Sequence, residues 1–331
     1  MSDLESVIEL IQTGKRFLIT SHENPDGDAI GSMLALGLAL RGLGKYVSLY
    51  NKDGAPRLLS FLPGSEEIDK ELPFKDGSFD ATFVVDCSDT SRAGDEFERF
   101  KSTGRCGTIV IIDHHDTSKP SAHFYILDPK APSTGIVVYS LLKTMALNIT
   151  PEIATNIYTT IVVDTGSFRY QNTLPEAFEI AAELVRIGAN PWEVSKALYE
   201  SESVGKLRLL ALVLQTLEVS EDGRIASVVV RKDMFKLTGT TKEDTEGLVN
   251  FPRSIGGVEV AVLFREEEYE EEGMKWKVSL RSKGKVNVAK IGEKFGGGGH
   301  EKAAGCTVFG SLSEVKQRIF SSIIDSLEWM E

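Results

Sequence analysis

Two of the five histidines in this 331-residue chain, His114 and His115, stand side by side behind Asp113 in IVIIDHHDTS. Three other apolar runs end in the same kinds of side chain. KRFLITSHENPDGD carries His22, Asp26 and Asp28, FDATFVVDCSD carries Asp86, and IYTTIVVDTGSF carries Asp164. Carboxylate oxygen and imidazole nitrogen together suit intermediate divalent cations such as manganese, and accept magnesium or zinc less specifically. The D-x-D spacing of Asp26 and Asp28 lets two carboxylates serve neighbouring ions, and a carboxylate such as Asp86 can bridge them. Two ions about 3.5–4 Å apart clamp a phosphoryl group and bring the pKa of a shared water toward neutrality. Each residue also has a plainer reading. An acid at a strand end is most often a turn former or helix cap, and Asp28 before AIGSMLAL is a candidate N-cap. The joint pattern outweighs these readings, because four of the five histidines fall in three motifs rich in acid or glycine. His123 is the exception and receives no role.

The elements that position these residues alternate in period. KRFLITSH and KYVSLY read as strands, and AIGSMLALGLALRGLG between them reads as an amphipathic helix ending in glycine. FDATFVVDCSD and CGTIVIIDHH are short β-branched runs of the kind buried on both faces of a parallel sheet. Side chains at the carboxyl ends of such strands converge on one crevice. IATNIYTTIVVDTGSF fits either strand or helix, whereas EAFEIAAELVRIGA and WEVSKALYESESVGKLRLLALVLQTLEV read as helical. Near residues 200–222 the character changes: RIASVVVRKDMF opens a new strand, and VEVAVLFREEEYEEEGMKWKVSLRS reads as a hairpin with a solvated acidic tip. Two helices then surround GGGGH and close the chain. The expected organisation is a doubly wound α/β domain with a mainly parallel sheet over 1–195, a helical linker over 196–212, and a smaller α/β domain over 213–331.

Composition narrows the function. A net charge of −12 disfavours binding along a long nucleic-acid backbone, which needs a basic face. Short anions remain compatible, because bound divalent cations reverse the local sign. No apolar run approaches the roughly 20 residues that cross a bilayer. The N-terminus has no signal-peptide plan, so a cytoplasmic address is expected. Cys87, Cys106 and Cys306 are scattered and read as buried thiols. In GGGGH, consecutive glycines let backbone N–H groups cradle an anion, with His300 as a further donor.

SHENPDGDAIGS, VVDCSD, DHHDTS and VVDTGSFRY together resemble the four motifs of the DHH phosphoesterase family, and SLRSKGKVNVAKIGEKFGGGGHEKAAG resembles its associated C-terminal domain. The resemblance spans nearly the whole chain. It implies two divalent cations, usually manganese with magnesium as the alternative. His22, Asp26 and Asp86 would hold one ion, and Asp28, Asp86, His114 and Asp164 the other. Asp113 would orient its neighbour, and His115 would face the scissile phosphate, stabilising its charge or protonating the leaving oxygen. The segment before Asp164 would be helical. Arg281, Gly297, Gly298, Gly299 and His300, with Arg169 as a weaker candidate, would bind substrate. The implied activity is hydrolysis of short nucleotides (pApA, very short oligoribonucleotides, cyclic di-AMP) to mononucleotides such as AMP, with the second domain walling off one end of the cleft. A pAp phosphatase, a RecJ-like single-strand exonuclease and a non-catalytic nucleotide sensor are the alternatives. A homodimer is expected.

Overall fold

The apolar runs that end in acid or histidine become strands. The computed structural model describes residues 3–73, 77–115, 121–267 and 274–328. In it β1 (Arg16–Thr20), β2 (Tyr46–Tyr50), β3 (Ile68–Asp69), β4 (Ala81–Val85), β5 (Thr108–Asp113) and β6 (Phe124–Leu127) form one sheet, ordered β3-β2-β1-β4-β5-β6. Every neighbouring pair is parallel. β4 is buried at all positions, as a central strand of Ala, Phe and Val covered on both faces, and its one polar residue, Thr82, donates its hydroxyl to Cys106 O at 2.7 Å. The order reverses between β1 and β4, which opens the crevice beyond their carboxyl ends.

Helices α1 (Asp3–Thr13), α2 (Gly27–Gly42), α3 (Asp95–Ser102), α4 (Thr134–Thr144), α5 (Pro151–Asp164), α6 (Pro175–Ile187) and α7 (Pro191–Tyr199) complete the first unit, Met1–Ser201. The expectation of an amphipathic α2 is corrected here, since thirteen of its sixteen residues are buried. The cause is a second helical layer. A Cβ on Gly31 would stand 2.6 Å from Thr160 Cγ2 and 2.7 Å from Asn156 O, so glycine lets α5 lie directly on α2. The ambiguous segment before Asp164 is α5, a helix. Thr150 caps it, Pro151 starts it, and Ile153, Ile157 and Ile161 bury one face despite the strand-like composition of TTIVV.

The second unit, Glu202–Glu331, holds α8 (Val204–Leu214), β7 (Glu218–Val219), β8 (Ile225–Val230), α9 (Lys232–Thr238), α10 (Asn250–Arg253), β9 (Val260–Glu267), β10 (Lys275–Ser282), α11 (Val288–Lys294), β11 (Gly298–His300), β12 (Ala303–Phe309) and α12 (Leu312–Glu328). Its mixed sheet runs β11-β12-β10-β9-β8-β7, with β8 and β9 parallel. Alternate residues feed two cores. Phe264, Trp276 and Val278 meet Val315, Ile319 and Ile323 of α12, while Val228, Val230 and Leu263 meet Leu209 and Val213 of α8. The long helical run expected from Trp192 onward is interrupted. Tyr199 ends α7, and Ser203 starts α8 afresh by accepting the Lys206 N–H at 3.0 Å. The segment expected as a linker therefore divides, its first part closing α7 and its second entering the core of the second unit.

GGGGH is only partly a loop. Gly298, Gly299 and His300 pair antiparallel with Gly305, Ala304 and Ala303. A Cβ on Gly297 would overlap Gly305 O, and one on Gly299, at φ +145°, would overlap Ala303 O. Close approach of two strands thus accounts for these glycines before any anion is considered. The acidic hairpin tip falls mainly on 268–273, outside the described residues. No described helix is long and apolar enough to cross a membrane.

Candidate metal centre

The chain leaves β1 through Ser21 and His22 and turns into α2 at Asp26. Asp26, not Asp28, is the cap: its Oδ1 accepts the N–H groups of Asp28 (3.0 Å) and Ala29 (3.1 Å). Asp28 is thereby released for a different task within the first turn. Its carboxylate accepts Thr134 N–H (2.7 Å), Gly135 N–H (3.0 Å) and Ser32 Oγ–H (3.2 Å). The first two donors are orphan amides at the start of α4, where the helix dipole favours negative charge. At the end of β4, Asp86 adopts φ +54°, a left-handed conformation that non-glycine residues rarely take, with its N–H on Ile112 O at 3.0 Å. β5 delivers Asp113 and the two histidines, and the C-terminus of α5 delivers Asp164.

These side chains converge in three groups, each with its donor atoms within 4.8 Å of one another: His22, Asp26 and Asp86; Asp28, His114 and Asp164; and Asp86, Asp113, His114 and His115. The two oxygens of Asp86 face different groups, Oδ2 lying 3.5 Å from His22 Nε2 and Oδ1 3.9 Å from His114 Nε2. His114 Nε2 also lies 3.2 Å from Asp164 Oδ2 and 3.7 Å from Asp28 Oδ2. Its Nδ1 is 3.1 Å from Ala131 O, a carbonyl that can only accept, so the ring proton sits on Nδ1. Neutral His114 then turns the Nε2 lone pair toward three carboxylates. That arrangement is repulsive unless a cation or a second ring proton stands between them, and His114 Nε2 is a buried atom with no hydrogen-bond partner. His22 is built alike, with Nδ1 at 2.8 Å from Glu23 O and Nε2 toward Asp86. The donor set fits divalent cations.

Asp113 is fully buried and holds its neighbour: Oδ1 accepts His115 N–H at 3.0 Å and lies 2.7 Å from His115 Nδ1. The adjacent rings diverge at 69° with centroids 4.2 Å apart. His115 is the more exposed of the pair, 25% against 12% for the side chains.

The structure does not draw every expected residue into this cluster. Arg169 is exposed and its Nε donates to Gly166 O at 2.6 Å, which folds it back on its own turn. Arg281 lies on β10 in the second unit, its Nη1 donating to Leu280 O at 3.0 Å. Arg281 and His300 are register partners of the same residue, Ala303, from opposite sides, so the two share one row of the sheet. Histidine 123 is structural, its Nδ1 accepting Ile109 N–H at 3.0 Å. Sequence reading passed over Thr134, whose hydroxyl lies 3.0 Å from Asp86 Oδ1, and Asn172, whose amide donates to Pro132 O and Asp164 O at 3.1 Å each. The one sequence signal for Thr134 is that PSTG can start a helix.

Electrostatics follow from this crowding. Burial, then the charge of Asp86, pushes Asp28 well above the usual carboxylate range, and burial with the charge of Asp28 does the same to Asp164. Asp26 is raised by desolvation and Asp86. Burial opposes ionisation of Asp86 too, but the hydrogen bond to His22 and the three histidines win, and its pKa falls. Burial would lower His22 and His114, yet Asp86 and Asp28 outweigh it and raise both. The signs add. Raised carboxylates hold protons that the unfolded chain releases, so without cations stability drops as pH climbs from the ordinary aspartate value through their folded values. Raised histidines contribute stability below their ordinary value and lose it as pH climbs through their folded values. Asp86 contributes across the neutral range. The EDTA-stripped protein is therefore expected to melt at lower temperature in mildly alkaline than in mildly acidic buffer. A divalent cation at about 100-fold its Kd adds about 2.7 kcal/mol, with the larger Tm gain at the alkaline pH because ions compete with protons. Scanning calorimetry checks both signs, and a larger cation effect in acid would contradict the cluster's ionisation.

Comparison with known proteins agrees with the geometry. Residues 16–173 match the DHH family, N-terminal domain, and residues 226–328 match the DHHA1 domain. The bifunctional oligoribonuclease and PAP phosphatase NrnA of Thermus thermophilus is 35% identical over 312 residues, covering 93% of this chain and 89% of the relative. The protein of the same name from Bacillus subtilis is 29% identical over 307 residues, covering 91% and 93%. Among solved structures, an exopolyphosphatase-related protein from Bacteroides fragilis superposes with a TM-score of 0.88 at 28% identity, covering 98% of this chain and 95% of the other.

Proposed function

The chain belongs to the DHH family, and from that premise we propose that it is a two-metal phosphodiesterase that hydrolyses short nucleotides, dinucleotides and very short oligoribonucleotides, to mononucleotides. The observation that carries the reading is the Asp86 carboxylate, one oxygen toward His22 and the other toward His114. In this reading His22, Asp26 and Asp86 hold one cation and Asp28, Asp86, His114 and Asp164 the other, manganese being the ion that the family resemblance implies and that mixed carboxylate and imidazole donors accept. Bound there, the pair supplies Lewis acidity toward the phosphoryl oxygens and a nucleophile at neutral pH. The protein's own residues do the rest. His114 is held in one tautomer by Ala131 O. Asp113 fixes the His115 ring through Nδ1, so the opposite edge, Nε2, meets the scissile phosphate or its leaving oxygen. Arg281, the glycine run 297–299 and His300 are assigned to substrate binding.

The oligoribonuclease and PAP phosphatase names of the relatives support short substrates, and they make pAp dephosphorylation the second reading for the same site. The net charge of −12 disfavours long single strands. Incubating manganese-loaded protein with pApA, cyclic di-AMP, pAp, pyrophosphate and a longer RNA separates the readings. AMP from pApA supports the proposal, phosphate from pAp alone favours the second reading, and turnover of pyrophosphate alone or of nothing sinks both. For His300→Ala we expect about a 10- to 150-fold loss in kcat/KM, the value of one hydrogen bond to a charged group. Bound metal should stay unchanged, and loss of metal from this variant would refute the assignment of His300 to substrate.

A further inference from the structure

We propose that Thr134 is the positioning residue that sets the Asp86 carboxylate across the two ligand groups; this rests on the two-metal reading above and deepens it. The Thr134 side chain is fully buried, so its single hydroxyl hydrogen must be donated within the protein. Two carboxylate oxygens are in range, Asp86 Oδ1 at 3.0 Å and Asp113 Oδ1 at 3.4 Å. The second already accepts the His115 N–H and faces His115 Nδ1, so the nearer Asp86 oxygen receives the proton.

That donation fixes a torsion which is otherwise soft. The terminal torsion of an aspartate is broad and roughly two-fold, and nothing intrinsic sets its plane. The backbone of Asp86 is already committed, at φ +54° with its N–H on Ile112 O. Rotating the carboxyl away from Thr134 would move Oδ2 from His22 and Oδ1 from His114 together, and the bridge would serve neither side. The main chain of the same residue completes the device. Thr134 N–H and Gly135 N–H hold the two oxygens of Asp28, so the first turn of α4 ties a ligand from the start of α2 and one from the end of β4. Glycine at 135 is what lets that turn sit so deep, since a Cβ there would overlap Thr160 Oγ1.

Thr134→Val keeps shape and removes only the hydroxyl; Thr134→Ser keeps the hydroxyl. The test is calorimetric titration of the EDTA-stripped full chain with Mn²⁺, together with EPR of the loaded proteins. Outer hydrogen bonds to metal ligands carry about 10–100-fold in affinity, and Thr134→Val is expected to lose that much and to weaken the exchange-coupled two-ion EPR signal. Thr134→Ser should return both toward wild type. Wild-type uptake of two ions with unchanged affinity and coupling in Thr134→Val would overturn the proposal while leaving the two-metal reading intact. A wild-type protein that takes up no Mn²⁺ would overturn both. Should Thr134→Val fail to fold, Thr134→Ala replaces it with the same outcomes.

Discussion

Asp86→Ala is expected to lower phosphodiester hydrolysis by about 10³-fold or more and to cut the bound divalent ions from two to at most one. The magnitude follows from what the carboxylate holds. A metal pair supplies several kcal/mol of transition-state charge stabilisation, and each 1.36 kcal/mol is a decade in rate. Asp86 is the one described carboxylate that joins the His22 group to the His114 group, so its loss weakens both ends at once. Alanine at φ +54° adds a backbone cost of about 1–2 kcal/mol, which would blur the result. Asp86→Asn is the control, because asparagine tolerates the left-handed region and keeps the Thr134 contact while lacking the charge. Metal counting by atomic emission and turnover of pApA are the measurements. Substantial activity in Asp86→Asn, with two ions still bound, would remove Asp86 from the bridge.

Ligands were legible in the sequence because they terminate apolar runs. An acid directly after VV or II is by itself most often a turn former or cap, but parallel strands bring such ends together however far apart they lie in the chain, and the joint pattern then counts. The family resemblance then sorted them into two sets. What stayed hidden depends on three-dimensional neighbours. Thr134 belongs to PSTG, a pattern common at helix starts, and its value arises because α4 begins beside Asp86 and Asp28. The burial of α2 was obscured because its glycines look like helix weaknesses until α5 is seen to rest on them. Asp28 was a candidate cap because two aspartates stand two residues apart, and only the hydrogen bonds of Asp26 decide which one closes the helix. GGGGH looked like an anion loop, whereas register with β12 gives Gly297 and Gly299 a steric reason of their own.

For His115→Ala we expect kcat on pApA to fall by about 10²–10⁴-fold, the range of one positioned proton donor, with the number of bound ions unchanged. His115 stands in one group with Asp86 and His114, but its Nδ1 lies nearer Asp113 (2.7 Å) than Asp86 (3.6 Å), and it is the more exposed of the two adjacent histidines, so its loss should leave the proposed ligand sets in place. Two roles remain for it, and they differ in which substrates suffer. A proton donor matters only where the leaving oxygen needs a proton. An activated aryl ester such as bis(4-nitrophenyl) phosphate leaves as a stable anion, so its hydrolysis should then be nearly unaffected while that of pApA collapses. A donor that steadies charge on the phosphoryl oxygens would help both substrates equally, and both rates would fall together. Asp113→Asn provides the companion measurement. It keeps the ring neighbour but loses the charged acceptor at 2.7 Å, so it should reproduce the same substrate pattern at smaller amplitude. If His115→Ala lost metal instead, or left pApA turnover intact, the assignment of the second histidine to the phosphate would fall.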